Sequence, residues 1–187
     1  PEERIQYEEE ALHKIIKNEF PQVPLADNLP GFPGLGKKLL AMLRKPWPRE
    51  VTYWKNRYQG ACQSLFFITK PASAPKFINK VEDIAARHGY PISDIGGYIQ
   101  PIEHNRACHL EFNFFYDPAS YLEVEKVRGL YSEAASALLN EGALFTRPYG
   151  ELAKLVYERA AGYTTTLRRV KKIFDPNNIM NPGNLCF

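Results

Sequence analysis

Between Ala107 and Tyr116 the residues alternate: His109, Glu111, Asn113 and Phe115 fall on one side of an extended chain, Leu110, Phe112 and Phe114 on the other. A run with one wholly apolar side must lay that side against an apolar layer, so the segment is expected to be a strand in a sheet covered by helices. The flanking sequence supplies that layer. Lys76 to His88 places Phe77, Val81, Ile84 and Ala85 on one helical face and is stopped by Gly89. Tyr121 to Asn140 carries Val127, Leu130, Tyr131, Ala134 and Leu138 in register, with Gly142 beyond its end.

Further strands are expected at Ser64–Thr69, β-branched and aromatic between Gly60 and Pro71, at Asp94–Glu103, and briefly at Ala143–Thr146. His104-Asn-Arg106 joins Asp94–Glu103 to Ala107–Tyr116 as a hairpin. The order is βαββαβ, an α+β, ferredoxin-like antiparallel sheet with two helices on one face and the other face free. Two C-terminal helices, Glu151–Ala160 and Thr165–Phe174, then lead away from the sheet.

The N-terminal third reads differently. Gln6 to Phe20 spaces Ala11, Leu12, Ile15 and Ile16 as a helix that stops at Pro21. From there to Gly60 the chain is rich in Pro, Gly and aromatic residues, with a short helical candidate at Lys37–Leu43. A connection of that length is usually functional or linking, and Trp47, Tyr53, Trp54 and Tyr58 offer rings for docking on a partner domain or lining a pocket. Residues 1–59 are therefore read as a first helix and connecting segment, 60–150 as the ferredoxin-like half-domain, and 151–187 as C-terminal helices and tail.

The charge balance excludes some classes of function. With 24 basic and 21 acidic residues spread along 187 positions, nothing concentrates into a nucleic-acid footprint. The densest basic run, Lys37, Lys38, Arg44, Lys45 and Arg49, is broken by Pro46 and Pro48 and reads as a solvated loop face. Cys62, Cys108 and Cys186 are odd in number and lack a CxxC pair, which fits neither a disulfide framework nor a zinc ribbon and suits a reducing, cytoplasmic setting. No apolar run approaches the roughly twenty residues of a membrane span. No metal is expected either: His104 belongs to the hairpin turn, and His109 with Glu111 gives too few ligands.

The last fifteen residues, Ile173-Phe-Asp-Pro-Asn-Asn-Ile-Met-Asn-Pro-Gly-Asn-Leu-Cys-Phe187, combine two Asx-Pro turns with a glycine. This stretch resembles the C-terminal signature of FAD-linked oxidases of the vanillyl-alcohol oxidase and p-cresol methylhydroxylase superfamily, in which "FDPNNIMNPGK" returns the chain to the flavin; Asn184 stands where that lysine is usual. The resemblance implies that residues from about 60 onward are the C-terminal part of the substrate-binding cap of a longer flavoprotein. It implies FAD as cofactor, a partner FAD-binding domain of the same protein, a small aromatic or hydroxy-acid substrate and an electron-acceptor subunit or oxygen. Gly31-Phe-Pro-Gly-Leu-Gly36 is interrupted by Pro33 and reads as a loop, not a pyrophosphate cradle. The chain alone is thus expected to be inactive.

Within that resemblance the free face of the third strand turns toward the flavin and substrate. His109, Glu111 and Asn113 become candidate catalytic residues, joined by Arg147 and Tyr149 from Thr146-Arg-Pro-Tyr-Gly150. A guanidinium at a strand end can stabilise negative charge on a reduced flavin or a phenolate. Arg147, His109 and Asn181 are the candidates for cofactor contact. The phenol-oxidising branch carries a histidine or tyrosine near His109 and a Tyr-Arg pair near Arg147, with Thr146 here in the tyrosine's place. The D-lactate and glycolate branch is the alternative; of its "GDGNLHxN" motif only Asn113 is matched, and its "EHG" is absent before Leu152. A non-catalytic ferredoxin-like interaction domain is the reading from another class.

Overall fold

The computed structural model describes residues 2–26, 31–44 and 49–187. They fall into two compact units, Pro1–Val51 and Thr52–Phe187. In the first, α1 (Glu2–Glu19) runs to the Pro21 stop with none of its residues buried, and α2 (Leu35–Arg44) follows a turn. Trp47 and Lys45, named above for docking and for the basic run, lie outside the described residues.

The second unit holds a 3-10 turn at Trp54–Asn56, then β1 (Ala61–Thr69), α3 (Ala74–Arg87), β2 (Ile95–Ile102), β3 (Ala107–Tyr116), α4 (Tyr121–Asn140), α5 (Glu151–Arg159) and α6 (Ala161–Phe174). The fold class is α+β. The three strands form one antiparallel sheet in the order β1-β3-β2, with β3 in the middle. Segment 52–59 belongs with this sheet and not with the preceding stretch. Among the described residues no helix is long and apolar enough to cross a membrane.

One face of the sheet is the core. Leu110, Phe112 and Phe114 of β3 and Leu65 and Phe67 of β1 are buried with Phe77, Val81 and Ile84 of α3 and Leu130, Ala134 and Leu138 of α4. The Phe67 ring centroid lies 5.0 Å from that of Phe77, 5.6 Å from Phe145 and 6.3 Å from Phe112, so a single side chain ties β1 to α3, β3 and the chain after α4. The turn from β3 into α4 is sealed by capping. Asp117 Oδ1 accepts from Ala119 N at 2.8 Å, Glu123 Oε2 from Asp117 N at 2.8 Å, and Ser120 Oγ from Glu123 N at 3.4 Å. Gly60 enters β1 with φ +96°, where a Cβ would lie 2.9 Å from Pro118 Cδ, so both conformation and space require glycine.

The fourth strand expected at 143–146 is reduced to one bridge. Ile68 N donates to Leu144 O at 2.9 Å and Leu144 N to Ile68 O at 3.1 Å. Ala143 and Phe145 turn into the core and Leu144 outward, so the alternation is that of a strand, but Pro148 has no N–H with which to extend a ladder. At the other end β1 starts at Ala61 instead of Ser64, because β3 pairs with it as far as Tyr116. The last helix begins at Ala161, four residues before the expected Thr165, after a break at Ala160.

The tail motif has a concrete cause. Asp175, 8% exposed, accepts from Ile179 N at 2.9 Å and Met180 N at 2.8 Å, and Lys171 Nζ reaches its Oδ2 at 2.5 Å while also donating to Met180 O. Asn178 and Asn181 take φ of 50° and 49°, a left-handed conformation that asparagine tolerates better than most residues. One carboxylate thus folds the tail back on the end of α6. The hydrogen bond from Lys171 and that from the Ile179 amide hold it far below its ordinary value, at about 2, against the opposing effect of desolvation.

Phe67→Ala is expected to cost about 3–5 kcal/mol in urea unfolding; an unchanged midpoint would contradict the central place given to that ring. A depressed carboxyl contributes fully above its unfolded value, about 3.9, and loses its hold as pH falls through the folded one. The Ile179 and Met180 amide shifts should therefore titrate with a midpoint near 2. A midpoint near the ordinary Asp value, about 3.9, would contradict the Asp175 anchor.

Candidate functional site

The register of the sheet assembles the other face. Ser64, Phe66 and Ile68 of β1 stand opposite Asn113, Glu111 and His109 of β3, whose other neighbours are Gly96, Tyr98 and Gln100 of β2. Cross-strand partners project to the same side, so the polar residues of β3 lie in the middle of a surface walled by both neighbours.

This face is not exposed as the alternation suggested. The turn at Trp54–Asn56 drops Lys55 onto it, and all three N–H donors of the ammonium are used. Lys55 Nζ donates to Glu111 Oε1, to Asn113 Oδ1 at 2.9 Å and to Ser64 Oγ at 3.1 Å. Ser64 Oγ donates in turn to Asn113 Oδ1 at 2.7 Å, and Cys62 Sγ approaches the same oxygen at 3.5 Å. The Lys55 and Glu111 side chains are 15% and 14% exposed, and Asn113 is 5% exposed. Burial by itself would raise the Glu111 carboxyl. The hydrogen bond and charge of Lys55 and the hydrogen bond from His109, with a smaller share from the Asn113 amide, outweigh it and hold the group below its ordinary value. Burial pushes the Cys62 thiol up, which keeps it protonated.

His109 is more exposed than Lys55, Glu111 or Asn113. Its Nε2 lies 3.3 Å from Glu111 Oε2, and its side chain is 22% exposed. The ring is held from both sides, stacked on Phe66 at 5.6 Å with an interplanar angle of 25° and meeting the edge of Tyr98 at 5.9 Å. Beyond Phe66 stands Arg147, its guanidinium carbon 5.3 Å from the ring centroid. Arg147 is exposed, and among the described residues it makes no hydrogen bond or ion pair, so its planar fork of donors remains available to an anion.

The structure therefore brings together His109, Glu111, Asn113 and, at the rim, Arg147. It does not bring Tyr149 to them: that ring is half exposed and lines a depression with Tyr131, Arg128 and Tyr116. Asn181 is exposed in the tail, and its backbone carbonyl caps Asn184 N at 3.3 Å. Arg147 and Tyr149 both border an open cleft of about 910 Å³ between the 146–150 loop, α5, α6 and residues 183–187. Lys55, Ser64 and Phe66 are functional candidates that the sequence reading missed. The signal for Lys55 was Glu111 itself, a carboxylate flanked by the buried Leu110 and Phe112, which demands a cation from elsewhere. Among the described residues no group of three or more His, Cys, Asp or Glu is placed to hold a metal ion.

A protein-family model described as FAD linked oxidases, C-terminal domain, matches residues 68–185, more than half of the chain. No curated protein and no solved structure matches it.

Removing one partner of a buried ion pair leaves the other charge uncompensated, so Lys55→Ala is expected to destabilise the second unit by about 3–5 kcal/mol. Chemical unfolding measures this directly, and a loss below about 1 kcal/mol, typical of a surface pair, would mean that Lys55 is not seated on the sheet.

Proposed function

The chain belongs to the family of FAD linked oxidase C-terminal domains, and from that premise we propose that it forms the substrate-facing cap of an FAD-dependent oxidoreductase acting on an aromatic alcohol or phenol. The observation that carries the proposal is the face just described, where the Phe66 ring is shared by a half-buried imidazole, itself held between two rings, and an exposed guanidinium. Phe66 and Tyr98 suit the flat apolar body of an aromatic substrate. His109 is placed to take a hydroxyl proton, and Arg147 to hold negative charge on a phenolate or on the edge of a flavin ring.

The residues present fit one end of the cofactor. Arg147 offers donors to a ring edge, whereas the Gly31–Gly36 stretch leads into α2 through a turn, with no strand before it among the described residues, and does not form the strand–loop–helix that cradles a pyrophosphate. The dinucleotide portion would accordingly be held by a partner FAD-binding domain of the same protein. FAD, when bound, supplies the acceptor for the hydride that leaves the carbinol carbon. This chain's residues shape the substrate slot, exclude water from it and hold the proton and the charge. Oxygen or an electron-carrier subunit would complete the cycle.

A second reading, oxidation of a 2-hydroxy acid, is favoured by one feature: the uncommitted donors of Arg147 match a carboxylate as well as a phenolate. Anaerobic stopped-flow reduction of the intact flavoprotein tests both. Aromatic alcohols should reduce the flavin faster than short 2-hydroxy acids, and the reverse order would favour the second reading. With the preferred substrate, Arg147→Lys should slow reduction by roughly 10- to 100-fold, since an ammonium cannot reproduce the planar fork. Equal rates would remove Arg147 from the mechanism.

A further inference from the structure

We propose that Lys55 is a positioning residue for His109: by supplying the permanent positive charge that the buried Glu111 carboxylate requires, it leaves the imidazole neutral and able to accept a substrate proton. The inference rests on the proposed function for the identity of that proton. Lys55 lies outside residues 68–185, so the family match says nothing of it.

One carboxylate offers an oxygen to each of two basic side chains. Glu111 Oε1 is bound by Lys55, and Oε2 lies 3.3 Å from His109 Nε2. A carboxylate 14% exposed needs a counter-charge, and among the described residues Lys55 and His109 are its only partners able to carry one, the Asn113 amide being neutral. The other titratable or charged groups around the cluster do not compete. The Cys62 thiol on β1 is kept protonated by its burial, the Tyr98 hydroxyl on β2 donates to Gln100 at 3.1 Å, and Arg147 stands beyond the Phe66 ring. A lysine amine is far more basic than an imidazole, so at neutral pH the compensating proton resides on Lys55.

With that charge in place, His109 has only to donate. Its Nε2–H points to Glu111 Oε2, which fixes the tautomer, and Nδ1 is left as an acceptor with no hydrogen-bond partner among the described residues. The rings of Phe66 and Tyr98 prevent the imidazole from turning away. In turnover the substrate O–H bond would break as an Nδ1–H bond forms, and the flavin, when bound, would supply the acceptor for the hydride of the carbinol carbon, which would become a carbonyl. Without Lys55, His109 would itself become the counter-ion of Glu111. An imidazolium cannot take a second proton, and the base would be lost.

The test is the titration of the His109 ring in the 187-residue chain, followed by 15N–1H NMR and assigned with His109→Gln. Lys55→Met should raise the midpoint by about one pH unit or more and replace the neutral Nε2–H signature at pH 7 with that of imidazolium; Lys55→Arg should restore most of the wild-type behaviour. An unmoved midpoint in a folded Lys55→Met chain overturns the proposal. Should that variant fail to fold, Glu111→Gln serves instead: it keeps Lys55, removes the carboxylate and should lower the midpoint, and an unchanged value again overturns the proposal. In the intact flavoprotein the acid limb of the kcat/KM profile should follow the His109 midpoint. A moved midpoint with an unmoved acid limb overturns His109 as the base, and with it the function proposed for this face, while the coupling through Glu111 stands.

Discussion

An ammonium set against a middle strand is expensive unless every proton finds an acceptor, and at Lys55 each of them does. The acceptors come from two strands, Ser64 from β1 and Glu111 and Asn113 from β3, and Lys55 itself comes from a turn 56 residues before Glu111. Such an arrangement holds only if register, strand order and the path of residues 52–58 are all correct together. The same interaction keeps Glu111 ionised in a half-buried place, which settles what His109 faces and which of its nitrogens remains free.

The two faces of the sheet divide the work. The side toward α3 and α4 is closed by Phe67, Phe112, Phe114 and Leu130 and gives the strands a rigid floor. The opposite side places charge and aromatic surface on that floor, and three neighbouring strands set the spacing of Phe66, His109 and Tyr98. Arg147 reaches the edge of this surface because the segment after α4 makes a single bridge to β1 and then leaves the sheet. A fully paired fourth strand would have carried the arginine onward along the ladder. At the C-terminus, Asp175 imposes order on a stretch with no regular secondary structure by binding Lys171 and two backbone amides.

The core was legible because its signal is periodic. The bounds of β3 and α4 coincide with the expected Ala107–Tyr116 and Tyr121–Asn140, and Leu110, Phe112 and Phe114 are buried as their alternation required. The fourth strand was overread, since inward and outward alternation at 143–146 reports side-chain direction but says nothing of whether backbone groups find a ladder. On the candidate face, alternation grouped His109, Glu111 and Asn113 correctly. It could not reveal their cover, because Lys55 lies in a stretch without periodicity and its contacts are long-range. Trp54 and Tyr58 were read as docking surface, and part of their docking is within this same unit: the Tyr58 ring meets Phe115 edge-on at 5.5 Å, and Lys55 Nζ lies 5.5 Å from the Trp54 centroid. Tyr149 was placed with His109 and Glu111 by its nearness in sequence to Arg147, yet although both residues border the same cleft, only Arg147 reaches the Phe66 ring, while Tyr149 lines a depression with Tyr131 and Arg128.

The most direct measurement of the central ion pair is the Lys55 ammonium itself, observed by 15N-selective NMR of lysine side chains. An ammonium buried on three acceptors should exchange its protons with water slowly enough to give a distinct cross-peak near neutral pH, whereas exposed lysines exchange too fast to be seen. That peak should disappear when Glu111 is replaced by glutamine. A Lys55 ammonium that exchanges as fast as the surface lysines would contradict the account, because the face would then be open and Glu111 would have no fixed partner.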